Sequence, residues 1–327
     1  MIHIGIVGAG FMGGVHAERY RRMDGVTVSA VVSPNTAGSF VDDRDLDAAA
    51  FSSLDAAIEE RDLDAVDVCS PTPTHRDAVE TAASRGLDVF CEKPLAPTLG
   101  DAKAIAGAVE ANDVTLMAGH VLRFFPDYRA IRDRVADGAI GTPGTARARR
   151  HSPFPDWGGD WFADDERSGG VFLDMGIHDF DYLRWLFGDV ERVFARRRRW
   201  DDRQQGHATL TFESGAVGYV EAGWDRASGT ELWSDLELAG DAGAIEYDAD
   251  EPTPLAVETD AKPDDPAPET IARDGYRREI EAFVECVERG TEPPVTVDDA
   301  VAAMRVAIAA NRSAERGVPV RIAEVEA

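Results

Sequence analysis

The chain has 327 residues, with 61 Asp and Glu against 34 Lys and Arg, for a formal charge of −27. Such an excess of carboxylates repels phosphate backbones and anionic lipid alike, which excludes charge-driven binding to nucleic acid or to a membrane surface. With 44% hydrophobic residues the chain can still bury a core, so acidity does not mean disorder here, and the length suits two domains.

In chain order, Ile2–Val7, Val26–Val32, Ala65–Cys69, Asp88–Cys91 and Thr115–Ala118 are short apolar runs rich in β-branched residues, the pattern of buried strands. Between them, Met12–Met23, Ser53–Glu60, Thr74–Arg85 and Thr98–Ala111 carry helical periodicity. Strands alternating with helices predict βαβ units and an N-terminal, doubly wound parallel sheet over residues 1–121. Beyond Arg123 the pattern changes. A helix over 127–136 ends at Gly138, and strands are expected at Gly144–Arg150, Val190–Arg199, His207–Phe212, Ala216–Ala222, Leu232–Leu238 and Ala244–Tyr247. Glu213-Ser214-Gly215 and Gly240-Asp241-Ala242-Gly243 read as hairpin turns, which makes the second sheet large, open and mostly antiparallel. One helix, Gly169–Phe187, interrupts it and stops at Gly188. Residues 249–270, rich in Pro and acids, read as a long surface loop. Two helices and a strand over Val318–Ile322 close the chain. The expected fold is therefore an α/β domain, 1–121, followed by an α+β domain, 122–327.

Only Lys93, Lys103 and Lys262 are lysines; the other basic residues are arginines. At molar ionic strength the Debye length is roughly 3 Å, so repulsion among exposed carboxylates is screened there and not in dilute buffer. Composition therefore leaves two readings, a salt-rich cytoplasm of the halophilic kind, which the scarcity of lysine favours, and a merely acidic mesophilic protein. The chain start lacks the charged and apolar regions of a signal peptide, and no run reaches the ~18 apolar residues of a membrane span. Cys69, Cys91 and Cys286 are odd in number and scattered, which indicates neither disulfides nor a zinc site. A cytoplasmic protein without metal is expected.

Gly8-Ala9-Gly10-Phe11-Met12-Gly13 fits the GxGxxG pattern between a predicted strand and a predicted helix. There the first glycine makes a tight turn and the second admits a pyrophosphate. The third lets helix and strand pack closely, and Phe11 and Met12 start the helix that faces the anion. At the end of the second strand, where an acid would bind the ribose of NAD, stands Ser33, followed by Pro34 and Asn35. With no carboxylate present, the cofactor is NAD or NADP, with a lean to NADP. Ser70, Pro71, Thr72 and His75 follow the next strand and are candidates for lining the cofactor.

Cys91-Glu92-Lys93-Pro94 ends the strand Asp88–Cys91, where a ligand of an open α/β sheet binds, so Glu92 and Lys93 are placed beside the nicotinamide. An ammonium there can polarise or protonate an alcohol or ketone oxygen. In the second domain Asp174 and His178 are four residues apart and share a helical face; a carboxylate beside an imidazole makes an acid/base near neutral pH. One Asp–His pair without a third ligand does not make a metal site. Asp179 and Asp181 read as solvated or capping groups. His120 and Arg123 could reach substrate, and Trp157, Trp161 and Phe162 form either a substrate platform or a core cluster. His3, His16, His151 and His207 have no partner at sequence spacing.

Together the glycine fingerprint, Pro71-Thr72-Pro73-Thr74-His75, Glu92-Lys93-Pro94, Gly119-His120-Val121-Leu122-Arg123-Phe124, Gly169-Gly170 with Asp174-Met175-Gly176-Ile177-His178-Asp179, and Asn311-Arg312-Ser313-Ala314-Glu315-Arg316-Gly317 resemble the Gfo/Idh/MocA oxidoreductases nearly end to end. The resemblance implies a Rossmann domain, a second domain whose open sheet forms dimers or tetramers, and NAD(P)-linked oxidation of a sugar, cyclitol or derivative. It also implies a catalytic set of Lys93, Asp174 and His178 and a commonly cis Lys93–Pro94 bond; with these three, His120, Arg123 and Trp161 complete the expected substrate site by their own positions. Two other activities within the family remain open at this point: a cofactor-sensing regulator without turnover, and a glycosidase with resident NAD.

Overall fold

Six strands build the first sheet: β1 (Ile2–Val7), β2 (Val26–Val32), β3 (Ala49–Phe51), β4 (Ala65–Val68), β5 (Asp88–Glu92) and β6 (Leu116–Gly119). In this computed structural model, which describes residues 1–155, 160–200, 203–251, 255–259 and 274–325, they lie in the order β3-β2-β1-β4-β5-β6. Every pair is parallel, which is the doubly wound order of dinucleotide-binding sheets. Ile4, Ile6, Val66, Val68, Val89 and Phe90 are fully buried, as expected when helices cover both faces of a parallel sheet. The connecting helices are α1 (Phe11–Tyr20), α2 (Ala37–Asp43), α3 (Leu54–Glu60), α4 (His75–Ser84) and α5 (Leu99–Asn112). Side chains set two of their starts: Ser53 accepts from the Ala56 N–H and Thr98 from the Asp101 N–H. The short α2 and β3 are absent from the sequence expectation: three residues are too few for periodicity to mark a strand, and α2 buries only Ala37 and Phe40.

Two compact units emerge: residues 1–121 with 274–301, and the described parts of 122–273 with 302–326. This departs from a continuous second domain over 122–327. The helix Gly275–Arg289 buries Ile280 and Phe283, and the Phe283 ring meets that of Phe90 at 5.7 Å, edge to face. The Ala118 N–H donates to the Val295 carbonyl, joining this segment to β6.

The second unit holds an eight-stranded sheet. Its strands are β7 (Pro143–Ser152), β8 (Val190–Trp200), β9 (Arg203–Phe212), β10 (Val217–Trp224), β11 (Trp233–Gly240), β12 (Gly243–Asp248), β13 (Leu255–Thr259) and β14 (Val320–Arg321), in the order β13-β12-β11-β7-β10-β9-β8-β14. All pairs are antiparallel except β7 with β10. Strand β13 falls within the stretch read as a loop; its five residues pair with β12, and the acid- and proline-rich sequence around them hid the pattern. Burial alternates along β7, β9 and β10, with Ala146, Ala148, Ala208, Leu210, Val220 and Ala222 inward. Three helices accompany this sheet before β8: α6 (Pro126–Ala136), α7 (Asp165–Ser168) and α8 (Ile177–Phe187). The single helix expected over 169–187 is in fact a π-helical turn, Phe172–Gly176, running into α8. Such turns inside helices recur at functional sites.

Candidate active site

Because the six strands of the first sheet run one way, the turns after β1, β2, β4 and β5 all leave the same edge. The glycine loop there divides cleanly by physical need. Gly8 has φ +118°, and a Cβ on it would lie 2.6 Å from the backbone of Cys69 and Ser70. A Cβ on Gly13 would collide with the Gly8 carbonyl. Both glycines are required by the fold itself. Gly10 is different: its backbone is extended, φ −101°, and a Cβ there would meet nothing within 4 Å. Neither strain nor packing calls for glycine at this position, whereas close approach of a ligand does. Gly10 also precedes α1, whose first turn has neither a side-chain cap nor an acid. Its N–H groups and positive dipole end therefore suit an anion. Phe11, exposed at 59%, and Met12 begin that turn. The residues present fit a dinucleotide.

At the end of β2 the Ser33 N–H donates to the Phe51 carbonyl, while its hydroxyl lies 2.8 Å from that of Thr36. Pro34 and Asn35 are exposed, and no carboxylate stands in the Val32–Thr36 turn. After β4, the Ser70 and Thr74 hydroxyls are 2.7 Å apart and Thr74 donates to the Pro71 carbonyl. Pro71 is exposed, whereas Thr72 is buried within the turn. His75 is buried as well: Nε2 lies 2.8 Å from the Ser70 carbonyl and Nδ1 3.1 Å from that of Pro94. It fastens the turn after β4 to the turn after β5, and burial pushes its pKa down.

Lys93 is half-buried, its N–H donates to Glu92 Oε2 at 3.1 Å, and the Lys93–Pro94 peptide is cis. Pro94, Leu95 and Ala96 behind it are buried. Glu92 itself is buried, and His120, after β6, is buried with its N–H on the Ala118 carbonyl.

In the second unit, residues 171–183 are buried except for Asp174 and His178. These two, on the π turn and the first turn of α8, form the accessible stripe of an otherwise enclosed segment. What holds that segment was misread from sequence. Asp179 and Asp181 are neither solvated nor caps. Arg150 grips Asp179 through two hydrogen bonds of 2.9 Å, and Arg123 grips Asp181 at 2.9 and 2.6 Å, with all four side chains buried. Forked pairs of this kind orient as well as attract. Arg123 thus meets α8 directly. Trp161 stacks on Phe162 at 3.9 Å and packs on the cluster of Phe162, Val171, Met175, Ala222 and Trp224, one residue from Asp174. Trp157 lies outside the described residues.

Spacing concealed several histidine partners because they are distant in sequence. His16 reaches Asp67, His151 reaches Asp225, His207 meets the Tyr219 hydroxyl and His3 meets Ser29. A His on the inner face of a glycine-rich helix and an Asp inside a strand expected to be wholly apolar were the available signals.

Comparison with known proteins places these features in a family. Residues 2–120 match the oxidoreductase family with an NAD-binding Rossmann fold, and residues 128–246 match the GFO/IDH/MocA C-terminal domain. A myo-inositol 2-dehydrogenase of Thermotoga maritima is 31% identical, over 99% of both chains. A D-xylose 1-dehydrogenase (NADP(+)) of Haloferax volcanii is 32% identical, over 84% of this chain and 85% of that one. The crystal structure of GenD2 from gentamicin A biosynthesis, in complex with NAD, superposes with a TM-score of 0.86 at 27% identity, covering 98% of this chain and 96% of that one. With both halves matched and relatives aligned end to end, the chain belongs to the Gfo/Idh/MocA oxidoreductases, a family with an NAD-binding Rossmann fold.

Proposed function

We propose that this protein is an NAD(P)-dependent dehydrogenase acting on a CH–OH carbon of a sugar, cyclitol or sugar derivative. The observation that carries the reading is the open space at Gly10, beside the uncapped start of α1. That glycine is explained by a bound dinucleotide and by nothing in the protein's own packing. When bound, the nicotinamide supplies the hydride acceptor. His178 accepts the hydroxyl proton, and Asp174, four residues earlier on the same stripe, holds its ring in one orientation. Lys93 orients the substrate and stabilises the developing oxyanion with its ammonium. Arg123 positions α8 through Asp181 and so acts on His178 from behind. His120 and Trp161 are assigned to substrate binding as well.

The relatives that act on inositol and xylose support sugars and cyclitols as the substrate class. The carboxylate-free turn at Ser33 favours NADP over NAD. Residues 1–121, together with 274–301, serve as the dinucleotide domain, and the rest of 122–327 supplies the substrate site and a dimer or tetramer surface on the open sheet. Among the described residues no helix is long and apolar enough to cross a membrane. Three free cysteines suit a reducing, cytoplasmic location, and the acidity suits high salt. The test is a panel of sugars and polyols, including myo-inositol and D-xylose, with NAD+ and NADP+ in multimolar KCl. Accumulation of reduced cofactor supports the reading. Tight cofactor binding with no reduction across the panel favours a sensor, and sugar release without net reduction favours a glycosidase.

A further inference from the structure

Beneath the glycine loop lies a buried polar cluster that the proposed chemistry does not use. His16, on the inner face of α1, is fully buried. Its Nδ1 lies 2.8 Å from Asp67 Oδ2 on β4 and 3.3 Å from Cys69 Sγ, and its Nε2 lies 3.3 Å from Glu92 Oε1 on β5. The Cys69 thiol donates to Asp67 Oδ1 at 3.1 Å. Phe90, edge-on at 5.3 Å, and Tyr276 wall the imidazole in. Tyr20, Glu279, Cys91 and His75, all buried, are further titratable groups of the surroundings.

Two readings of this cluster differ in what sits at its centre. His, Asp and Cys donors could hold a metal ion, but tetrahedral zinc with bonds of about 2.0–2.3 Å keeps its donors roughly 3.3–3.7 Å apart. Here the separations of 2.8 and 3.1 Å are those of hydrogen bonds, and Glu92 faces the other ring nitrogen. Protons hold the cluster. Asp67 Oδ2 lies at hydrogen-bond distance from Nδ1, and Glu92 Oε1 lies at ion-pair distance from Nε2 without an aligned hydrogen bond, so a carboxylate stands on either side of the ring and both favour the imidazolium. Burial alone would push the His16 pKa down; Asp67 and Cys69 outweigh it and hold it well above the usual value.

The far end of the chain of contacts reaches the reacting edge. While Glu92 Oε1 faces His16, Glu92 Oε2 accepts from the Lys93 N–H. Room for that carboxylate depends on Gly119, where a Cβ would stand 3.3 Å from Oε2 and 3.2 Å from the Glu92 Cα. We propose that His16 is a positioning residue: as an imidazolium clamped between Asp67 and Glu92, it fixes the backbone of Lys93 to α1, the helix that receives the dinucleotide. This rests on the reading of Lys93 as the catalytic cation. It gives the protein a rigid link from the cofactor helix to the lysine, made of one buried cation between two buried anions.

The low lysine count makes the test direct. Full-length protein labelled with 15N-histidine reports the protonation of its 7 histidines, His16 being assigned by its loss in His16→Gln. Reductive 13C-methylation keeps the lysine charge and gives one signal per lysine, Lys93 being assigned by Lys93→Arg. Both His16 ring nitrogens should be protonated at neutral pH and remain so into the alkaline range. In His16→Gln and in Glu92→Gln the Lys93 signal should move by more than its linewidth, while those of Lys103 and Lys262 stay in place. A single-tautomer neutral His16 at neutral pH, or an unmoved Lys93 signal in both variants, overturns the proposal. Should His16→Gln fail to fold, Glu92→Gln, which preserves shape, carries the second arm alone. Near-normal turnover by Lys93→Ala would instead remove the catalytic reading of the lysine and leave the His16 result standing.

Discussion

Three glycines of one motif answer to different causes, and substitution should separate them. Gly10→Ala meets no atom and no backbone strain. Its unfolding free energy should stay within about 0.5 kcal/mol of the parent, while cofactor affinity falls about tenfold or more. Gly13→Ala, driven into the Gly8 carbonyl, should lose several times more stability. Thermal unfolding and a cofactor titration on both variants check this; equal loss of stability would show that Gly10 is structural after all. Two buried histidines then set opposite limits in pH. The folded-state pKa of His16 is raised, so its contribution is complete below the unfolded value of about 6.5 and is lost as pH rises towards the folded one. His75 is lowered, so its contribution is present above about 6.5 and is lost as pH falls through its folded value. Denaturant unfolding across pH should show both limbs, with the alkaline limb from His16 missing in His16→Gln. An unchanged alkaline limb in that variant would contradict the assignment.

Among elements, the segment from the π turn through α8 matters most, because it carries Asp174 and His178 on its one accessible stripe. Its position depends on Arg150–Asp179 and Arg123–Asp181. Breaking a buried pair leaves a charge stranded, so Asp179→Ala should cost about 3–5 kcal/mol of stability, measured by urea unfolding. A loss below about 1 kcal/mol would mean that Arg150 is solvated on its own. Sequence periodicity placed Asp174 and His178 on one face of this segment but misassigned the two aspartates. The reason is physical: Arg123 and Arg150 lie 58 and 29 residues away from their partners, and no local pattern encodes a contact between segments so far apart in sequence. The same distance hid the His16–Asp67 contact, 51 residues apart. By contrast, five of the six strands of the parallel sheet and the glycine loop were legible, because their signals are local: β-branched runs, a motif between strand and helix, and a Lys-Pro at a strand end.

For the whole molecule, the charge of −27 governs the response to salt. Repulsion among exposed carboxylates falls as salt screens them, so stability should rise from dilute buffer to multimolar KCl. Equal or greater stability in dilute buffer would show that the acidity has no such role. Within this composition only three lysines remain, and one stands at the carboxyl end of β5, held by the buried Glu92 and followed by three buried residues. Depletion of lysine elsewhere gives weight to the one retained where an ammonium can meet an oxyanion. The most direct test of the proposed function is the turnover of Lys93→Ala and His178→Ala with the best substrate of the sugar and polyol panel, cofactor binding being measured in parallel. The expected result is unchanged cofactor affinity with kcat lowered by about 10²-fold or more in each variant. Near-normal turnover in both, with cofactor bound, would contradict it.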